Sequence, residues 1–279
     1  MSHLQVRRIP FTFEGVDFIW NPSNPGFSIL MNVISFMVIG LEKYMCLAMR
    51  DAEPLIKNPA ILEEARLFRA QESVHSQAHR KHVNALVARY PGLAPALDKA
   101  IAHYDELYAS RDLRYHLAYA GGLEASFTPF FKMILDNRDT LFGGGDARVA
   151  SLFVWHFCEE IEHRSSALAI YNEVVGDSWY RVRNVKSFYS HGGACAAMLM
   201  SEFRIQVMEI PESYYREPAF ATVPRMQKLR SGLGIVNSQL PWHNPMHQPL
   251  PNYYDEWSRR YESGENMSNF YGSSAQAAT

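Results

Sequence analysis

Cysteine is scarce. The 279 residues contain three, Cys46, Cys158 and Cys195, far apart and with no C-x-x-C pair. A disulfide framework is therefore not expected, which suits a reducing cytoplasm. Strong charge of either sign is also missing. Lys+Arg 27 against Asp+Glu 29 gives a formal net charge of −2. Such a chain has no global electrostatic case for nucleic acid or an anionic membrane. No apolar run reaches the ~20 residues that a bilayer span takes. The most apolar segment, "FSILMNVISFMVIGLEKYM", runs straight into Glu42 and Lys43 and reads as a buried helix. The N-terminus, "MSHLQVRRIPFTFEG", lacks an apolar signal core. P-loop, dinucleotide-binding glycine, G-x-S-x-G and H-E-x-x-H motifs are absent too. The expectation is a soluble cytoplasmic protein with no membrane span and no nucleic-acid partner.

Histidine and phenylalanine are plentiful, at 11 and 16. They direct attention to a metal site in an aromatic pocket. Strand signals are sparse; only "FTFEGVDFIW" reads as extended, before the turn "NPSNPG". Helical periodicity predicts long helices over about 27–51, 59–89, 111–135, 147–175 and 179–208. Asn58 is placed to cap the second, with Pro59 at its first position. A shorter amphipathic piece, "APALDKAIAHYDELYAS", lies in the connection 90–110. The connections are short, long, short, as in two helical hairpins joined by a crossover. The expected fold is all-α, a ferritin-like four-helix bundle with extra helices and an irregular C-terminal tail. One domain is expected over 1–270. The Pro- and aromatic-rich part from Leu240 should wrap over the helices, and 271–279 should be disordered.

The polar residues on these helices follow a chemical inventory. A di-metal carboxylate bundle needs one Glu on each of two helices and a Glu-x-x-His pair on each of the other two. Two cations close together require anionic oxygens between them and imidazole as the less charged terminal ligand. A spacing of three sets Glu and His on one helix face. Helix one offers Glu42 in "VIGLEKYM", helix two Glu72 and His75 in "QESVH", helix three Glu124 in "GGLEASF", and helix four Glu160 and His163 in "EEIEH".

One E-x-x-H is expected by chance with 19 Glu and 11 His; the weight lies in context. Glu42 and Glu124 sit in apolar stretches, where an unpaired carboxylate would be costly. Glu124 and Glu160 lie at similar heights from their shared turn, roughly 20 Å at ~1.5 Å per residue. Each residue alone has a plainer reading. Glu72 reads as a solvated helix residue, Glu42 as the end of an apolar run, and Glu159, Glu160 and Glu162 as an acidic surface. His75, His79 and His82 read as one polar stripe.

His156 shares a stripe with Glu160 and His163 and is expected as a third imidazole ligand. Glu159 is the fallback for Glu160. His79, one turn past His75, is expected to orient a ligand or act as one. His191, in "YSHGGACAAM", either packs or reaches into the site. Gly121 and Gly122, each costing roughly 1 kcal/mol inside a helix, call for a packing or access role. Tyr44, Tyr115 and Tyr119 are candidates to line the site. Tyr44, Tyr119, Phe127 and Phe130 are the candidate substrate-pocket residues, with "SFTPFF" as a wall.

This motif set resembles the ferritin-like di-iron superfamily. More closely, the chain resembles a bacterial family of predicted metal-dependent hydrolases. The segments "EARLFRAQESVHSQAHRKH" and "FCEEIEHRSSALAIYNEV" carry that likeness. The H-x-x-x-E-x-x-H pattern of His156, Glu160 and His163 is similar to the last core helix of His-rich di-iron arylamine N-oxygenases. The resemblance implies two metal ions, with iron first and manganese or zinc as alternatives. It implies an O₂-activating oxidase or oxygenase acting on a small, largely apolar substrate with an electron donor. Hydrolysis by a metal-activated water is the alternative, and a non-catalytic iron-binding bundle the third reading. A homodimer is also considered.

Overall fold

The computed structural model describes residues 4–273. Its helices are α1 (Pro25–Ala52), α2 (Pro59–Arg89), α3 (Ala94–Ser110), α4 (Leu113–Asp136), α5 (Arg138–Phe142) and α6 (Ala147–His163). They continue with α7 (Ser166–Val174), α8 (Ser178–Gln206), α9 (Arg225–Ser238), α10 (Asn252–Glu262) and α11 (Phe270–Ser273). Side-chain oxygens cap the long helices where the sequence supplies them. Asn24 accepts from the Phe27 amide, Asp112 from Tyr115 and Asp177 from Tyr180. Asn58 caps α2 ahead of Pro59, as its sequence predicts.

Four helices close on one another. α1 packs on α2, α2 on α6, α6 on α4, and α4 back on α1. They surround a shared interior, an all-α helical bundle that fits the ferritin-like arrangement. The crossover helix α3 lies against α1 and α8. At Gly121 a Cβ would sit 3.5 Å from the Ala167 carbonyl oxygen of α7, an ordinary contact that does not require glycine. At Gly122 the neighbour is the Phe188 ring of α8, 3.1 Å from such a Cβ. Of the two, Gly122 serves close packing.

The chain departs from the expected helix over 147–175. It breaks after His163, and α7 starts afresh at Ser166. Arg164 turns back to donate to the Ile161 carbonyl (3.0 Å), and Ser166 donates to Glu64 on α2 (2.5 Å). These contacts seat the turn on α2, which local periodicity cannot show.

No strand forms among the described residues. The expected strand over "FTFEGVDFIW" is instead an irregular segment that buries Phe11, Phe13, Val16, Phe18 and Trp20. Its alternation is real, but no second strand lies beside it, so turns such as Val16 to Phe13 take up backbone groups. The C-terminal part is less irregular than expected, since it contains α9 and α10. Pro129 inside α4 explains how that part docks. Proline lacks the N–H that would bond the Ala125 carbonyl. Gln248 donates to that oxygen instead (3.4 Å), and Ser231 of α9 donates to the Pro129 carbonyl (3.1 Å). Disorder over 271–279 is corrected for Tyr271, whose amide donates to Ser151 and whose hydroxyl donates to Asp139. Residues 274–279 lie outside the described part.

Candidate metal centre

Each of the four ring helices turns one carboxylate inward, and two of them add imidazoles. Glu42, His75, His156 and Glu160 offer four donor atoms within 4.8 Å of one another. Glu72, Glu124, Glu160 and His163 do the same. Glu160 belongs to both groups, one oxygen toward each. Its Oε1 lies 2.9 Å from His156 Nε2 and 3.3 Å from His75 Nδ1, while its Oε2 lies 3.8 Å from His163 Nδ1. Glu42 Oε1 is 3.3 Å from His156 Nε2, and Glu72 Oε1 is 2.9 Å from His163 Nδ1. None of the seven residues is more than 2% exposed.

The imidazoles are held from behind. His75 Nε2 donates to Glu159 (2.8 Å), leaving Nδ1 toward the centre. Arg7 donates to the other oxygen of Glu159 (3.0 Å) and forks onto both oxygens of Glu162. Tyr254 also donates to Glu162 (2.6 Å). His163 Nε2 donates to Gln71 Oε1 (3.1 Å), and Gln71 is oriented by its own donation to the Gln5 carbonyl (3.0 Å). His156 turns Nε2 inward and pairs through Nδ1 with His79 Nε2 (2.8 Å). His79 meets Ser35 (2.6 Å), which also meets His82 (2.8 Å). With the outer nitrogen of each ring protonated, the inner one presents a lone pair, the form in which imidazole binds a metal.

The donor set fits cations. Both oxygens of Glu42 and of Glu124 are buried with no hydrogen-bond partner, as are Glu72 Oε1, Glu160 Oε2, His75 Nδ1 and His163 Nδ1. Orphaned atoms converging on one place call for an explanation, and metal ions supply one. The electrostatics agree. Burial, then neighbouring carboxylates, push the Glu42 and Glu124 pKa values well above the usual range. Burial and Glu160 raise Glu72 despite His163. Burial opposes ionisation of Glu160 as well, but His163, His156 and His75 outweigh it and hold its pKa low. Burial also opposes protonation of His75 and His163, yet Glu159 and Glu160 raise His75, while Glu160 and Glu72 raise His163. Without cations, protons must neutralise this interior.

All seven residues expected as ligands are thus brought together. His79 and Glu159 stand behind ligand candidates, outside both donor groups. His191 does not join them. It stacks on His103, with centroids 3.9 Å apart, and pairs with Tyr119 (3.1 Å). Tyr44 and Tyr119 pack on each other, and Tyr44 pairs with His116 (3.0 Å). Tyr115 pairs with Ser187 on α8. These tyrosines form an aromatic cluster among α1, α3, α4 and α8, so the expectation that they line the site is corrected. Phe127 and Phe130 pack on Phe131, whose ring stacks on Phe157 and lies 6.4 Å from His156. Trp155 meets His75 edge-on, and Phe68 meets His163 in the same way. Arg7, Gln71 and Ser35 escape a search for ligand motifs. Gln71 alone had a signal, lying four before His75 on the same face.

Among the described residues, the one helix long and apolar enough to cross a membrane by length and composition is α1 with the turn after it, and 83% of its apolar window is buried. Among the described residues, the three cysteines are free. No curated protein and no solved structure matches the chain. A family model described as "Predicted metal-dependent hydrolase" matches residues 5–249, and on that span the chain belongs to this family of metal-dependent proteins.

Proposed function

We propose that the protein is an enzyme with a dinuclear metal centre, iron being the expected metal, that oxidises a small organic substrate with O₂. Glu42, His75 and His156 would hold one ion, and Glu72, Glu124 and His163 the other, with Glu160 between them. The observation that carries this reading is the pair of four-donor groups sharing one carboxylate. Four carboxylates match the charge of two divalent ions, so the buried interior becomes neutral. Carboxylate with imidazole suits iron or manganese, and the inventory is that of di-iron and di-manganese bundles.

The chemistry such an ion pair supplies is reduction of O₂ or, in a second reading, activation of water for hydrolysis. The family description favours the second reading. The chain's own residues bear on both. Arg7, Glu159 and Gln71 hold the imidazoles in one tautomer. Trp155, Phe68 and Phe131 surround the donors with rings, which limits water and suits an apolar reacting group. An external electron donor would complete the oxidative cycle.

The test begins with metal quantified in the purified protein. The reduced protein is then mixed with O₂ while absorbance and O₂ uptake are followed, and a panel of esters, amides and phosphate esters is assayed beside it. Two irons per chain with O₂-dependent absorbance support the oxidase. Two zinc ions with ester or phosphate turnover and no response to O₂ support the hydrolase. Failure to bind metal after reconstitution rejects both.

A further inference from the structure

A cavity of about 630 Å³ opens between α4, α9 and the segment 242–249. That volume suits a small organic ligand. Its floor includes Thr128, which is 1% exposed and whose Oγ1 has no hydrogen-bond partner. Thr128 follows Glu124 by four residues on α4, so the two share a helix face about 6 Å apart along the axis. Two more buried polar atoms on the walls have no partner, His243 Nε2 and Gln248 Oε1. Met133 and Trp242 supply apolar surface, and Trp242 is 72% exposed at the mouth.

The charge is one-sided. Lys132 is occupied by Asp136 (2.7 Å), the one acidic residue on the walls. Arg230 is exposed on the wall and has no hydrogen bond or ion pair among the described residues. From Pro218 to Tyr254 the sequence contains no Asp or Glu, but it has Arg225, Lys228 and Arg230. Burial, Arg181 and His247 hold the His243 pKa down to about 4, so at neutral pH its ring is an uncharged donor and acceptor.

We infer that this cavity is the substrate site and takes an amphipathic organic carboxylate, its anionic head at Arg230 and its apolar body against Trp242 and Met133, reaching toward Thr128. The inference rests on the proposed dinuclear centre for its catalytic meaning, but the binding itself does not. The end remote from Arg230 lies deep, on the side of Glu124. The cation at the mouth selects acids over their neutral analogues. The "SFTPFF" wall anticipated in the sequence contributes Thr128 and Pro129, rather than its phenylalanines.

Calorimetric titration of the full-length protein with octanoate and phenylacetate, and with octanamide and phenylacetamide, tests this before and after chelation of metal. At least one acid should bind saturably with Kd of about 1 mM or tighter, and its amide about fivefold more weakly. Arg230→Gln should erase that preference while leaving amide binding unchanged. Thr128→Leu should weaken acid and amide alike and leave metal content as it was. Arg230 is exposed, so its variant tests the idea even where Thr128→Leu fails to fold. No saturable binding of either acid, equal binding of the amides, or indifference to Arg230→Gln overturns the inference. Carboxylate binding in a protein that takes up no metal rejects the dinuclear centre alone. Two bound ions without carboxylate binding reject the substrate site alone.

Discussion

Inside the four-helix ring, seven ionisable side chains are at most 2% exposed, while on α9 Leu233 and Val236 are 61% and 64% exposed. α9 carries Met226, Leu229, Leu233 and Val236 on its outer face and turns Ser231 and Ser238 inward. Both regions reverse the ordinary placement of polar and apolar groups, but the consequences differ. An exposed leucine merely forgoes burial of about 1.5–3 kcal/mol. A buried, unpaired charge costs several kcal/mol per ion. The interior therefore requires a compensating ligand, and the α9 face does not. The difference separates a polar cluster that signals metal from an apolar stripe that is only unusual.

The sharpest way to break the comparison is Glu160→Ala. It removes the carboxylate common to both donor groups, and bound metal should fall from the proposed two ions per chain to below one, read by elemental analysis. Retention of two ions would show that the groups do not depend on a shared ligand.

Next is pH. In metal-free protein, Glu42 and Glu124 keep their protons above the unfolded carboxyl value, so the folded state binds more protons than the unfolded one. Stability then declines as pH rises. His75 and His163, also raised, add the same sign above the unfolded histidine value near 6.5. The lowered values of His79 and His156 act below that pH and in the opposite direction. From about pH 6.5 upward, the Tm of metal-free protein should fall, while that of metal-loaded protein should hold. Parallel Tm curves would mean that metal does not replace these protons.

Arg7→Ala leaves Glu159 and Glu162 buried without their cation. The expected loss is about 3–5 kcal/mol by chemical denaturation, with metal affinity down about 10–100-fold through His75. On α9, a Cβ at Gly234 would lie 2.7 Å from Pro129 Cβ. Gly234→Ala should therefore cost about 1–3 kcal/mol, unlike the roomier Gly121. The smallest effect belongs to the stripe itself. Leu229→Gln with Leu233→Gln should change stability by no more than about 0.5 kcal/mol per site. A loss of several kcal/mol would mean that this face is covered in solution.

Local sequence determined much of this protein. A 3.6-residue period and Asn or Asp caps locate the long helices, because both act within one or two turns. Spacings of three and four put Glu72 with His75, and His156, Glu160 and His163, on single helix faces for the same reason. Tertiary structure alone decided the rest, because each of those features joins residues far apart in the chain. Arg7 reaches Glu159 and Glu162 across more than 150 residues, and Gln248 satisfies the carbonyl that Pro129 leaves free across 123. The break after His163 depends on Glu64 of α2, and the packing of Tyr44 and Tyr119 away from the centre depends on α3 and α8. A helix face can be read from periodicity, but what lies opposite that face depends on how the helices are brought together.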